Sequence, residues 1–334
     1  MPTPAHIRPR VARAGRGSTR AVAAAIVALA VITMAAAPAG SVETVRNGDI
    51  TFARVTPGIQ DFTLWTAHSD GSHQRPLTQT QANFNDWAPG GRSIAYDFFD
   101  AEGEQIATVR PDGTHLRQLT HGPGISEVPR FSPDGQHLAF DASAAVPDDP
   151  SFHTSIWVMR TDGSDAHALT RDTFDVEPVY SPDGRHIAFG RITGVGADGV
   201  QNEALYVMRI DGTGAHQVLA PTGGLEHPDW SPDGSWLVFN IDRNTPQSPG
   251  SGSVIAVHPD GTGQHVVRAG TPRWAMFKPI WSPDGKRLLV GCYDVAAGVD
   301  NLCTMKPDGR HLRVIVTGTR TQPVNYPNWG PRPS

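Results

Sequence analysis

An aromatic residue followed by a proline-bearing turn returns along this chain at a nearly fixed interval. The copies are Trp87-Ala-Pro-Gly-Gly, Phe131-Ser-Pro-Asp-Gly, Tyr180-Ser-Pro-Asp-Gly, Trp230-Ser-Pro-Asp-Gly and Trp281-Ser-Pro-Asp-Gly. A sixth aromatic, Trp329-Gly-Pro, stands near the C-terminus, and successive aromatics are 44, 49, 50, 51 and 48 residues apart. The turn is written into the residue types: Pro presets φ, Asp bonds its own backbone and Gly takes φ > 0. Apolar segments follow, Ile94-Ala-Tyr, Leu138-Ala-Phe, Ile187-Ala-Phe, Leu237-Val-Phe and Leu288-Leu-Val. They suit a pleated, half-buried surface. Each copy therefore reads as a β-hairpin, and a period in this range signals a propeller or another repeat array.

Two further signatures repeat between the hairpins. Short apolar strands lead to Asp70-Gly71, Asp112-Gly113, Asp162-Gly163, Asp211-Gly212, Asp260-Gly261 and Asp308-Gly309. Asp-Gly is a strong hairpin signal. A last short strand follows the turn, as in Arg75-Pro-Leu-Thr78 and Arg117-Gln-Leu-Thr120. Each unit thus has four strands, and six units predict an all-β fold: a six-bladed β-propeller of four-stranded antiparallel blades. The load of 35 Gly and 29 Pro fits many short strands joined by turns. A solenoid is the other way to use a repeat. The chain ends argue for a ring: Ile50-Thr-Phe52 is a second strand with no first, and Trp329 is a first strand with no second. Together they complete one blade and leave no open edge around the circle. The predicted propeller covers residues 48–330, with a lead at 40–47 and a tail at 331–334.

The first 39 residues differ from the rest. Arg8, Arg10, Arg13, Arg16 and Arg20 precede an apolar run from Ala21 to Ala37, and Ala37-Pro38-Ala39 supplies small residues for cleavage before Gly40. That is the anatomy of a secretory signal peptide. An uncleaved membrane anchor is the competing reading, although the run is at the short end for a span. Residues 1–39 hold five Arg and no acids. Their removal leaves 23 basic and 33 acidic side chains, a net of −10 against −5 for the whole chain. An acidic surface argues against nucleic acid as partner, because that affinity comes from neutralising phosphates with Lys and Arg. The expected setting is secreted or periplasmic, without a membrane span after cleavage. The only two cysteines, Cys292 and Cys303, fall on neighbouring strands, and in an oxidising compartment such a pair reads as a disulfide. Two buried thiols are the alternative.

The aromatic-Ser-Pro-Asp-Gly-x-x-(Ile/Leu)-Ala-Phe signature resembles the PD40, or WD40-like, repeat of the TolB-type propellers, over nearly the whole chain after the leader. The motif is specific for fold and weak for function. Such blades occur in periplasmic scaffold proteins, in the caps of prolyl-oligopeptidase-like peptidases and in some lyases.

Antiparallel order puts both kinds of turn on one monotonous face. The opposite face carries loops of unequal length near residues 143–154, 193–203, 242–253 and 294–301, and blade-specific loops on a repetitive scaffold usually carry binding. Residues that begin the innermost strands are polar and varied: Asn83 and Asn85, Glu127, Glu177, Glu226 and His227, Lys278 and Asn325. They are expected to ring the channel mouth as ligand-binding residues, where three carboxylates could hold a cation or a basic peptide end. A merely solvated rim is the plain reading. The turn aspartates Asp134, Asp183, Asp233 and Asp284, one per blade, are expected to serve their own turns. His73, His115, His167, His216, His265 and His311 recur after Asp-Gly and are expected at the surface. No Gly-x-Ser-x-Gly elbow, His-Glu-x-x-His or Gly-x-x-x-x-Gly-Lys is present. No catalytic residue and no cofactor is therefore nominated, with a channel-bound metal cation left open. The preferred expectation is an exported, monomeric module that binds a protein or peptide at the variable-loop face. The alternative is a lyase or hydrolase acting on extracellular polysaccharide or peptide, with Glu226 and His227 as the first pair to test. A purely structural ring is the third.

Overall fold

The structure is a computed structural model, and it describes residues 46–56, 61–144, 153–171, 173–196, 199, 201–241 and 252–332. The chain divides into Met1–Glu43 and Thr44–Ser334. The second unit is the propeller; the leader expected at 1–39 lies outside the described residues.

Twenty-four strands follow one another in the described chain, with no helix among them. Blade 1 contains β1 (Asn47–Thr56), β2 (Asp61–Ala67) and β3 (Arg75–Pro76). Blade 2 is β4 (Asn85–Trp87), β5 (Ile94–Phe99), β6 (Gly103–Val109) and β7 (Arg117–Gln118). Blade 3 is β8 (Gly124–Phe131), β9 (His137–Ala144), β10 (Ser155–Arg160) and β11 (His167–Ala168). Blade 4 is β12 (Asp175–Tyr180), β13 (His186–Val195), β14 (Gln201–Arg209) and β15 (His216–Gly223). Blade 5 is β16 (Leu225–Trp230), β17 (Leu237–Ile241), β18 (Ser253–Val257) and β19 (His265–Arg268). Blade 6 is β20 (Trp274–Trp281), β21 (Leu288–Asp294), β22 (Val299–Met305) and β23 (Arg313–Thr317). The last strand, β24 (Val324–Pro331), pairs antiparallel with β1, so blade 1 runs β24-β1-β2-β3. The protein is the six-bladed propeller expected, closed by its C-terminal strand. Blades 2 and 3 share one sheet, because the start of β8 runs parallel to β6 at Gly103↔Gly124 and Glu104↔Ile125.

The turns explain their own residues. In blade 3 the Ser132 hydroxyl donates to Asp134 Oδ1 at 2.6 Å, and the Gln136 N–H donates to the same oxygen at 3.0 Å. Ser181–Asp183, Ser231–Asp233 and Ser282–Asp284 repeat the bond. The closing glycines, Gly135, Gly184, Gly234 and Gly285, all sit near φ +70°, where an L side chain is strained. The Asp-Gly turns lie at the same end of the blades: Thr161 N–H donates to Gln136 O, and Ile210 N–H to Arg185 O. His73, His115, His167, His216, His265 and His311 are all exposed there.

The core is interleaved between blades. Among the described residues there are six apolar clusters, one at each blade interface. Trp230, Leu237, Phe239 and Ile255 of blade 5 pack on Val179, Ala188, Leu205 and Val207 of blade 4. Phe131, Leu138 and Phe140 of blade 3 pack on Ala95, Ile106 and Leu119 of blade 2. Ile50, Phe52 and Trp329 of blade 1 pack on Ile280, Leu289 and Leu302 of blade 6. The central strands are covered on both faces, which is why they read as runs such as Leu-Val-Phe rather than as alternating patterns. Cys292 on β21 and Cys303 on β22 are joined in a disulfide, with Cα atoms 6.0 Å apart and both residues fully buried.

Candidate functional site

The innermost strands β8, β12, β16 and β20 break their ladders at the same place, while β4 does not. Pairing jumps from Glu127 to Arg130, from Val176 to Val179, from Glu226 to Asp229 and from Phe277 to Ile280. The skipped pair is a residue with positive φ followed by a proline: Val128-Pro129, Glu177-Pro178, His227-Pro228 and Lys278-Pro279. Tyr326-Pro327 does the same in β24, where φ of Tyr326 is 48°. Proline has no N–H to give to a ladder and is tolerated at a bulge. The bulge turns the preceding side chain inward. Counting three residues back from each aromatic gives a ring of these five residues, Val128, Glu177, His227, Lys278 and Tyr326, completed by Phe84, which has no bulge.

The N–H groups freed by the bulge are taken up by carboxylates and amides near the channel. Asp97 Oδ2 accepts from Val128 N at 3.1 Å, Asp141 Oδ1 from Glu177 N at 3.2 Å and Asn240 Oδ1 from Lys278 N at 2.9 Å. These acceptors share one position on the second strand of their blades, just after Tyr96, Phe140 and Phe239. Blade 4 has Gly190 there. The His227 N–H is bonded instead by the carboxylate of Glu177, whose Oε1 also lies 2.7 Å from His227 Nδ1. Burial alone would raise Glu177, but the neighbouring His227 outweighs it and holds the carboxyl below its ordinary value.

The ring side chains close the channel at this level. Lys278 Nζ lies 4.5 Å from the Phe84 ring centre and 5.2 Å from that of Tyr326. Phe84 stands 4.4 Å from Tyr326 and 5.6 Å from His227, centre to centre. Lys278 is 1 % exposed, and loss of water pushes its ammonium down to about 7, with Arg130 adding to the effect. One layer further in, two residues on from the ring, Arg130 Nη1 lies 3.6 Å from Asp86 Oδ1, and Asn328 Nδ2 donates to the same oxygen at 3.0 Å. Asp229 belongs to this layer and is raised to about 6 by burial.

Above the plug the mouth is acidic on one side. Glu127, Asp141 and Glu203 are each raised by burial and then by one another or by Glu177. Asp97 is raised to about 7 and Glu104 to about 8, again mainly by burial. Glu226 is the open edge of this arc, its side chain 42 % exposed; its Oε2 accepts from Asn240 Nδ2 at 3.2 Å and lies 4.0 Å from His227 Nε2.

The residues singled out from the sequence thus separate. Glu177, His227 and Lys278 fall in the plug, and Glu127, Glu226 and Asn325, like Asn83, stand one step above it, half-buried. Asn85 is elsewhere: it occupies the place that proline holds in the other five blades, is 1 % exposed, accepts from Thr51 Oγ1 at 2.5 Å and donates to Tyr326 O at 2.9 Å. Its role is to tie blade 2 to blade 1. The acids at Asp97, Glu104, Asp141 and Glu203 escaped the sequence reading because they come from second and third strands. Aligning the copies on Phe140 and Phe239 would have found Asp97 and Asp141. The loop residues 145–152 and 242–251 lie outside the described residues. Among the described residues no group of three or more His, Cys, Asp or Glu is arranged to hold a metal ion, and no helix is long and apolar enough to cross a membrane.

A model of the TolB beta propeller domain matches residues 47–200. Among solved structures, TolB from Acinetobacter baumannii superposes with a TM-score of 0.69 at 21% identity, covering 85% of this chain and 67% of that one. The described chain has the fold of the TolB propellers. An oligogalacturonate lyase in complex with manganese shares the fold at a TM-score of 0.52 and 15% identity, over 82% of this chain and 74% of that one. Dipeptidyl-peptidase 5 of Porphyromonas endodontalis is 34% identical over 111 residues, 31% of this chain and 16% of that protein. The chain spans about a third or less of the length of the curated relatives it matches. At these identities the structural likenesses establish architecture and leave the activity to the site itself.

Proposed function

We propose that this propeller is an exported binding module that receives a protein or peptide segment in the mouth of its channel. The observation that carries the reading is the contrast between the two ends of the ring. At the turn end the blades repeat the same Ser–Asp bonds. At the mouth they differ residue by residue, and the Phe84–Tyr326–Lys278–His227 plug gives the mouth a floor. A ligand therefore docks in a bowl instead of threading through. The acidic arc favours a partner that brings positive charge. The leader-like residues 1–39 support a setting outside the cytoplasm.

The test uses the propeller as bait in cell-envelope extract, with Glu127→Gln and Glu226→Gln introduced together. Both side chains are half-buried at the rim, so the variant keeps its fold. Loss of a partner that the unaltered protein retains is the expected result. Equal retention by both proteins sinks the mouth as the binding site.

A further inference from the structure

We infer that the mouth takes a basic side chain, lysine or arginine, of the docked segment, and that Glu203 is the carboxylate that receives it. This deepens the reading just given and rests on it.

Gly190 is the starting point. In blades 2, 3 and 5 the equivalent residue projects Asp97, Asp141 or Asn240 to bond the next blade's inner strand. A Cβ at Gly190 would overlap the carboxylate of Glu203, which comes over from β14 to fill that space. Register explains why: Gly190 pairs with Leu205, and Glu203 lies two residues earlier on the same strand face. The N–H that the missing side chain would have bonded, that of His227, is already taken by Glu177. Glu203 is thus brought to the acidic arc with no internal bond to complete. It is 4 % exposed, and its Oε1 has no hydrogen-bond partner among the described residues. A buried, unpaired carboxylate oxygen is costly, and such an atom calls for a specific explanation.

A second unpartnered atom marks the same level of the neighbouring blade. Asp141 pairs with Ile156, so Thr154 on the approach to β10 holds in blade 3 the position of Glu203 in blade 4. Thr154 is 4 % exposed, and its Oγ1 likewise lacks a partner. Its carbonyl accepts from Asp175 N at 3.1 Å, which fixes it against the inner strand of blade 4. An unpaired carboxylate oxygen and an unpaired hydroxyl at one level of neighbouring blades, with Glu177 and Glu226 acting on Glu203, describe a site open to a cationic donor.

The donor's chemistry is narrowed by the arrangement. The described acids are not grouped as metal ligands. A lysine ammonium or arginine guanidinium needs no such convergence. It carries several N–H donors on a long apolar stem, reaching a recessed carboxylate while its backbone stays at the rim. Hydrogen bonds in which both partners are ionised are the strong ones.

The experiment selects binders from a random peptide library on the propeller and on its Glu203→Gln variant. The expected result is enrichment of Lys or Arg at one position with the unaltered protein, and loss of that enrichment with Glu203→Gln. Replacing the enriched residue by Gln in a selected peptide then weakens binding about tenfold or more. The variant folds, since it replaces an unpaired buried carboxyl by an amide of the same shape, and its melting temperature without peptide is at or above that of the parent. Peptides that bind at the mouth without a basic residue, or equally well to Glu203→Gln, overturn the inference and leave the binding reading standing. Peptides that bind only the turn face, or none at all, overturn both.

Discussion

At the scale of single residues, the channel holds charged groups that folding has partly neutralised, and the consequence is a pH dependence with a definite sign. Glu104 is raised from its ordinary range to about 8, mainly by burial. The folded chain therefore holds a proton at pH values where the unfolded chain has released it. That contribution to stability is complete below about 4.5 and is lost as pH rises through about 8. Glu104→Gln should flatten this part of the curve, read as the denaturant midpoint between pH 5 and 8. Lys278 works the other way. Its pKa falls from 10.5 to about 7, so its stabilising contribution is present above 10.5 and is lost as pH falls through about 7. Lys278→Met fits a site walled by Phe84 and Tyr326 and should abolish the gain in stability between pH 7 and 10. An unchanged slope in either variant would show that the group is better hydrated than its burial implies. These residues also show where sequence reading stopped. Glu177, His227 and Lys278 read in the sequence as polar residues at a strand start, and the proline after each is the sole mark of the bulge that turns them inward. Asn85, the one exception to those prolines, is bonded to Thr51 and Tyr326 of blade 1.

At the scale of elements, the repeat was legible because each blade spends the same residues on the same tasks. Asp134, Asp183, Asp233 and Asp284 each bond the Ser of their own turn and a nearby N–H, the structural task expected of them. The aromatic of each inner strand seals a blade interface. Trp230 is 7 % exposed, and its Nε1 donates to Val179 O in the preceding blade at 3.2 Å. Trp230→Ala should cost about 3–5 kcal/mol, the range for emptying a large aromatic site in a core, visible as a lowered unfolding midpoint. The Cys292–Cys303 bond closes a loop with a sequence separation of 11 across the β21–β22 hairpin. Replacing both by Ala should cost about 2–3 kcal/mol on the chain-entropy scale, and reducing agent should shift the parent's midpoint but leave the variant's unmoved. What the elements hid was substitution between strands. Glu203 fills the space of a side chain that Gly190 does not have, and that exchange is visible only once the register is known.

At the scale of the whole propeller, six interlocking apolar clusters make each blade a partner of two others, so stability is shared around the ring. The closing blade carries this cooperativity. β24 supplies Trp329 and Val324 to the interface with blade 6, and Asn328 Nδ2 donates to Asn85 O of blade 2 at 2.8 Å. Removing residues 319–334 should therefore do more than shorten the chain. It bares the edge of β1 and uncovers Ile50 and Phe52. The expected outcome is loss of the cooperative thermal transition together with aggregation, followed by circular dichroism and light scattering. A truncated chain that melts cooperatively near the parent's temperature would show that five complete blades suffice.

The same closing pair has a mechanical consequence. β1 and β24 run antiparallel, with Asn47 opposite Pro331 at the outer end and Arg54 opposite Val324 at the inner end. The strand ends at Asn47 and Pro331 thus leave from one end of the ladder. A pull applied between them loads the backbone bonds one after another, like a zipper, instead of all together. The propeller should yield at low force through this seam, while a pull between residues inside different blades must shear whole strands at once.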